Sequence, residues 1–141
     1  MAAFVDINIL IYAFVGDLNG SAAKPAIADA LITDLIRNDS LIVSAQVLSE
    51  FSANAMLKGS PPLTVEQTSR LIEKLAAQTV LSINASLVQL ALHRVQQSRL
   101  SYWDALIVEA ALRSGATILY TEDMHHGTRY GALELRNPFL P

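Results

Sequence analysis

Along the 141 residues, short β-like apolar runs alternate with longer segments of helical period, and nothing else restricts the fold as strongly. Ala2 to Val5 is the first such run, ending at Asp6. Ile9 to Phe14 fits a buried strand or a buried helix equally well. Gly16, Asn19 and Gly20 mark a turn in which Asp17 reads as a turn residue. From Ser21 the period lengthens: Ile27, Ala30, Leu31 and Leu35 lie on one helical stripe, with Pro25 tolerable only near its start. Leu41 to Val43 is a second strand, and Val47, Leu48, Phe51 and Ala55 a second helical stripe, stopped by Gly59 and Pro61-Pro62. Thr64 with Gln67 forms a capping box opening a helix with Leu71, Ile72 and Leu75 on one face. Thr79 to Ile83 is a third strand. Asn84 and Ser101 cap two further helices, the second closed by Gly115. Thr117 to Tyr120 is a fourth strand. Met124 to Gly131 reads as a polar loop, and Leu133 to Arg136 as an edge strand. Strands separated by helices imply crossovers and a mostly parallel sheet covered on both faces, an α/β fold with a single domain over residues 1–141.

The composition agrees with a packed domain. Hydrophobic residues make up 52% and charged ones 16%, which rules out extended disorder. The longest clean apolar run, Ile9 to Val15, is far shorter than the roughly 20 residues of a spanning helix. Asp6 interrupts the first apolar stretch, so no signal peptide is expected, and a cytoplasmic protein with no membrane association is. The chain has no cysteine, which excludes disulfides, thiol catalysis and cysteine-held metals. A net charge of −3 speaks against nucleic-acid binding by bulk electrostatics.

In open parallel sheets, ligands gather beyond the carboxyl ends of the strands. Asp6 follows strand one, Glu50 lies in the helix after strand two, Asp104 is in the first turn of its helix, and Glu122 and Asp123 follow strand four. All can face one edge. Asp29, Asp34, Asp39, Glu66, Glu73, Glu109 and Glu134 fall on helix faces, turns or boundaries instead. Several carboxylates from separate segments repel unless a hard cation neutralises them, and oxygen-only donors suit Mg²⁺ or Mn²⁺. Metal-assisted attack of water on a phosphodiester is the chemistry that follows.

Each acid also has a plainer role. Asp6 can cap the Ile7-Asn8 turn, Asn8 can make an Asx bond, and Asp104 completes a capping box with Ser101. Glu50 is harder to dismiss, because it lies near the apolar face where an unpaired carboxylate is costly. His125-His126 lacks a third nitrogen or sulfur ligand and reads as a loop pair or phosphate contact. Tyr102-Trp103 can stack a base or join the core, and Arg129 and Lys58 are phosphate contacts or ordinary surface. A phosphoaspartyl receiver is disfavoured, since strand three ends Ser82-Ile83-Asn84 and no lysine follows Lys74. A haloacid-dehalogenase-like phosphatase needs Asp-x-Asp, where this chain has Asp6-Ile7-Asn8.

Phe-Val-Asp6-Ile-Asn8-Ile-Leu, Ser-Glu50-Phe, Ser-Tyr-Trp-Asp104-Ala-Leu-Ile and Leu-Tyr-Thr121-Glu122-Asp123 together resemble the PIN-domain ribonucleases, and within them the VapC-type toxins of toxin–antitoxin pairs. The closing Asn137-Pro138-Phe139 also looks like that group. The resemblance implies a Mg²⁺- or Mn²⁺-dependent endoribonuclease acting on RNA. Asp6, Glu50, Asp104 and Asp123 match the acidic quartet, and Asn8 and Thr121 the polar positions orienting it. Glu122 beside Asp123 could reach the ion as well. Ile7 departs from the pattern, which often has Thr or Ser, and costs a supporting hydroxyl. The resemblance also implies a cognate antitoxin and a homodimer. The alternative is a non-catalytic protein-binding module of the same fold with a degenerate site.

The quartet changes the meaning of the net charge. Nine acids then remain against ten bases, so the rest of the chain is formally +1 and the negative charge sits where a divalent ion would cancel it.

Overall fold

The computed structural model describes residues 2–16, 20 and 22–141. Asp17, Asn19 and Ser21, assigned above to a turn and a helix start, lie outside the described residues. β1 (Ala3–Val5) leads into α1 (Ile7–Phe14), α2 (Ala23–Arg37) and β2 (Leu41–Ser44). There follow α3 (Ala45–Leu57), α4 (Val65–Ala76), β3 (Thr79–Leu81), α5 (Ala85–Gln97) and α6 (Tyr102–Ser114). β4 (Ile118–Tyr120), β5 (Arg129–Tyr130) and β6 (Leu133–Arg136) complete the chain. The strands form one sheet in the order β3-β2-β1-β4-β6-β5, parallel throughout except for β5 against β6.

Parallel strands need crossovers that lay helices over the sheet, and a strand covered on both faces has no polar side. β1 and β2 obey this, with every residue buried. The outer β3 is only partly so. The two-way ambiguity at Ile9–Phe14 resolves as a helix starting earlier, at Ile7. Asp6 stops the strand in extended conformation, and its side chain accepts from the Ile7 amide to cap the new helix. Ile9 and Leu10 are fully buried where α1 packs on α2 and α3.

The capping signals translate directly into structure. Thr64 and Gln67 exchange both capping-box bonds, and Asn84 and Ser101 each accept from the amide three residues on. Gly115 ends α6 at φ 79°, a left-handed conformation that disfavours any residue with a Cβ.

Two expectations need correction. Leu133–Arg136 is not an edge strand: β6 lies between β4 and β5. Its alternation arises because Leu133 and Leu135 are buried while Glu134 and Arg136 are less so, which is the signature of one covered face and says nothing of lateral neighbours. The outer strand is β5, inside the segment read as loop, and two residues are too short to show a period. The third strand stops at Leu81 rather than Ile83.

Candidate functional site at the carboxyl edge of the sheet

β1 and β4 are neighbours, with Val5 opposite Tyr120, so the residues that follow them emerge side by side. Asp6 is almost fully buried there. One carboxylate oxygen accepts from the Ile7 amide at 2.7 Å and the other from the Thr121 hydroxyl at 2.9 Å. The Thr121 oxygen in turn accepts from the Asp123 amide at 3.3 Å, and Asn8 Nδ2 donates to Asp123 Oδ2 at 2.6 Å. One hydroxyl thus joins the two strand ends. Both Asp6 oxygens have partners without a hydroxyl at position 7, and the Ile7 side chain packs against the core instead.

Glu50 and Asp104 reach the same edge from helices. α3 begins directly at the end of β2, which places Glu50 in its second turn. α6 runs back toward the start of β4, so its first turn, with Asp104, is at the carboxyl edge. Ser101 Oγ accepts from the Asp104 amide at 3.1 Å: the capping role and the site position belong to the same residue. Gln46, one helical turn before Glu50, escaped the sequence reading. Its amide nitrogen donates to Glu50 Oε1 at 3.1 Å and to the Trp103 carbonyl at 3.4 Å, tying α3 to the start of α6. The i, i+4 spacing was the signal available for it.

The charges feel one another. Burial pushes the Asp6 carboxyl up to about 6, against the lowering effect of its Ile7 and Thr121 hydrogen bonds, and the charges of Asp123 and Asp104 add to the rise. Asp104 is also held above its ordinary value, first by burial and then by Asp123 and Glu50, with Ser101 opposing. The carboxylates of all four segments are therefore one electrostatic group. Among the described residues, no three Asp, Glu or His side chains are arranged to hold an ion as they stand. The donor set still suits a hard divalent cation. It is oxygen-only and mutually repulsive, and Mg²⁺ commonly takes only one or two protein carboxylates and completes its shell with water.

Glu122 faces away from this group. It accepts from the Tyr12 hydroxyl at 2.7 Å and pairs with Lys24 at 2.5 Å. Lys24 also lies over the rings of Tyr12 and Phe139, which meet edge to face at 5.1 Å. Phe139 is placed by the Asn137 side chain, whose oxygen accepts from its amide at 2.9 Å. Neither Tyr12 nor Lys24 carried a sequence signal for this role. Of the other candidates, His125 and His126 are exposed, and His126 Nδ1 accepts from the Asn137 amide at 3.0 Å. Arg129 pairs with Glu134 at 3.0 Å, and Lys58 is exposed at the end of α3. Trp103 is 60% exposed, its ring edge to face with Tyr102.

Residues 3–127 match the family model of the PIN domain, and the chain belongs to that family. No curated protein matches it in sequence. The fold is similar to a chain of a toxin–antitoxin complex from Klebsiella pneumoniae, at 18% identity and a TM-score of 0.71, covering 97% of this chain and 98% of that one. It is similar also to a chain of VapBC-1 from nontypeable Haemophilus influenzae, at 25% identity and TM-score 0.56, covering 87% of each. A third likeness is to Mycobacterium tuberculosis VapC20, described as a sarcin–ricin loop cleaving toxin, at 17% identity and TM-score 0.63, covering 86% and 90%. No helix among the described residues is long and apolar enough to cross a membrane.

Proposed function

We propose that this chain is a Mg²⁺- or Mn²⁺-dependent endoribonuclease, the toxin of a VapBC-type toxin–antitoxin pair. One observation carries the reading: carboxylates from four separate segments influence one another at a single sheet edge, with Asp6 and Asp104 raised above their ordinary values. Asp6, Glu50, Asp104 and Asp123 would hold the cation, and Asn8, Thr121 and Gln46 keep three of them oriented. Asp123 rather than Glu122 is the ligand from β4, because Glu122 is taken up by Tyr12 and Lys24. A bound divalent ion would neutralise charge at a phosphodiester and acidify the attacking water. The pairing with an antitoxin is supported by the toxin–antitoxin assemblies whose chains share this fold, while the homodimer and a cytoplasmic site of action come with the family resemblance alone.

Cleavage of total bacterial RNA by the purified protein, with Mg²⁺ or Mn²⁺, tests the reading against an Asp6→Asn control. Activity is expected in the parent protein only, and is expected to vanish on chelation. Equal activity in the two proteins, or activity that survives chelation, overturns it.

A further inference from the structure

Beside Glu50, between α3 and the start of α6, lies an open groove of about 540 Å³ lined chiefly by Gln46, Glu50, Ile83, Tyr102, Trp103 and Leu106. We propose that this groove receives one unpaired base of the RNA strand, stacked on Trp103, and thereby holds the nucleotide that stands next to the scissile phosphate. The inference rests on the ribonuclease reading and deepens it.

The groove shares Glu50 with the carboxylate group, so a strand whose phosphate lies at the carboxylates brings a neighbouring base to its mouth. Its lining contains no lysine or arginine. Ion pairing to the backbone is therefore not what the groove itself offers, and an aromatic contact is the attraction its lining can supply. Trp103 provides it. The indole is 60% exposed although Tyr102 braces it edge to face at 5.1 Å, and its backbone carbonyl is bonded to Gln46. A fixed, exposed aromatic ring is a stacking platform for any base, and such stacking is worth about ten- to a hundredfold in affinity. Gln46 serves the groove by position: with its amide nitrogen bonded to Glu50 and to the Trp103 carbonyl, it ties the wall that carries the ring to the carboxylate group. A base can enter only when unpaired, so a duplex is excluded.

Trp103 is the one tryptophan in the chain, which makes it its own reporter. The full-length Asp6→Asn protein, chosen so that turnover does not consume the probe, is titrated with a labelled single-stranded oligoadenylate in Mg²⁺. Anisotropy and tryptophan emission are followed together. Emission is expected to fall saturably with binding, and not with the same oligomer annealed to its complement. Adding Trp103→Ala should weaken binding about ten- to a hundredfold, and Trp103→Phe should restore most of it. Constant emission at saturation, no binding, or undiminished binding by the alanine variant overturns the proposal. So does an emission change that follows protein concentration without RNA, which would assign the ring to a contact between copies. Cleavage of total RNA by the parent protein is read in parallel. Cleavage without quenching refutes the base site alone, whereas quenching without cleavage refutes the nuclease reading and leaves the base site standing.

Discussion

Replacing Asp6 by Asn should stabilise the protein in the absence of divalent ions, although it removes a residue at the heart of the site. Asp6 is 4% exposed, and its carboxyl is raised from 3.8 to about 6, mainly by burial. An acid whose pKa is higher in the folded state favours folding when protonated. Ionising it therefore costs nothing below pH 3.8, and the cost grows until the pH passes about 6. A rise of about two units corresponds to about 3 kcal/mol when Asp6 is fully ionised. The amide keeps the cap, since Asn Oδ1 can accept from the Ile7 amide as Asp6 does. It cannot accept from Thr121, which loses a hydrogen bond worth about 1 kcal/mol. The net expectation at neutral pH is a gain of about 2 kcal/mol, or roughly 4–8 °C in melting temperature for a chain of this size. Thermal unfolding in chelator, compared across pH, is the assay. The gain should shrink steadily below pH 6, reach zero at about pH 4.5 and become a loss of about 1 kcal/mol in stronger acid, and added Mn²⁺ should raise the melting temperature of the parent protein alone. A variant that is less stable than its parent at neutral pH without metal, or a difference indifferent to pH, refutes the reasoning.

Two further outcomes are expected. Thr121→Val removes the hydroxyl that serves both Asp6 and the Asp123 amide, and should lower stability by about 1–3 kcal/mol in urea unfolding while depressing RNA cleavage. Arg94→Ala leaves the buried Glu109 carboxylate without its partner and strips the guanidinium from the Tyr130 ring. It should cost about 3 kcal/mol in thermal unfolding, whereas replacing both partners by apolar residues should cost far less.

Much of the site was legible from local rules. Asp6 and Asp123 could be placed because they end strand-like runs, and Asp104 because Ser101 marks a helix start that must lie at the opposite end from the strand it feeds. What was not legible depends on tertiary partners. Glu122 and Asp123 are adjacent, and which one turns toward the carboxylates is decided by Tyr12 and Lys24, more than ninety residues away. The helix at Ile7–Phe14 was ambiguous because two turns that are apolar apart from Asn8 and Tyr12 offer too little contrast to reveal a period. β5 escaped because two residues carry no period at all, and β6 was misplaced because alternation reports which face is covered, not which strand lies alongside. Gln46 was findable in principle, since it lies one helical turn from Glu50, but its tie to Trp103 crosses between elements.

The Asp6–Thr121 bond also bears on when the carboxylate edge is completed during synthesis. Asp6 is among the first residues made, yet its hydroxyl partner follows β4, and the Thr121 amide itself is held by the Arg136 carbonyl at 2.9 Å. A ribosome that has translated the first hundred residues has made three of the strands and none of the segment that joins Asp6 to Asp123. Folding that proceeds from the N-terminus during elongation would reach this bond last. The carboxylate edge is thereby completed only when the last strands of the sheet have been made.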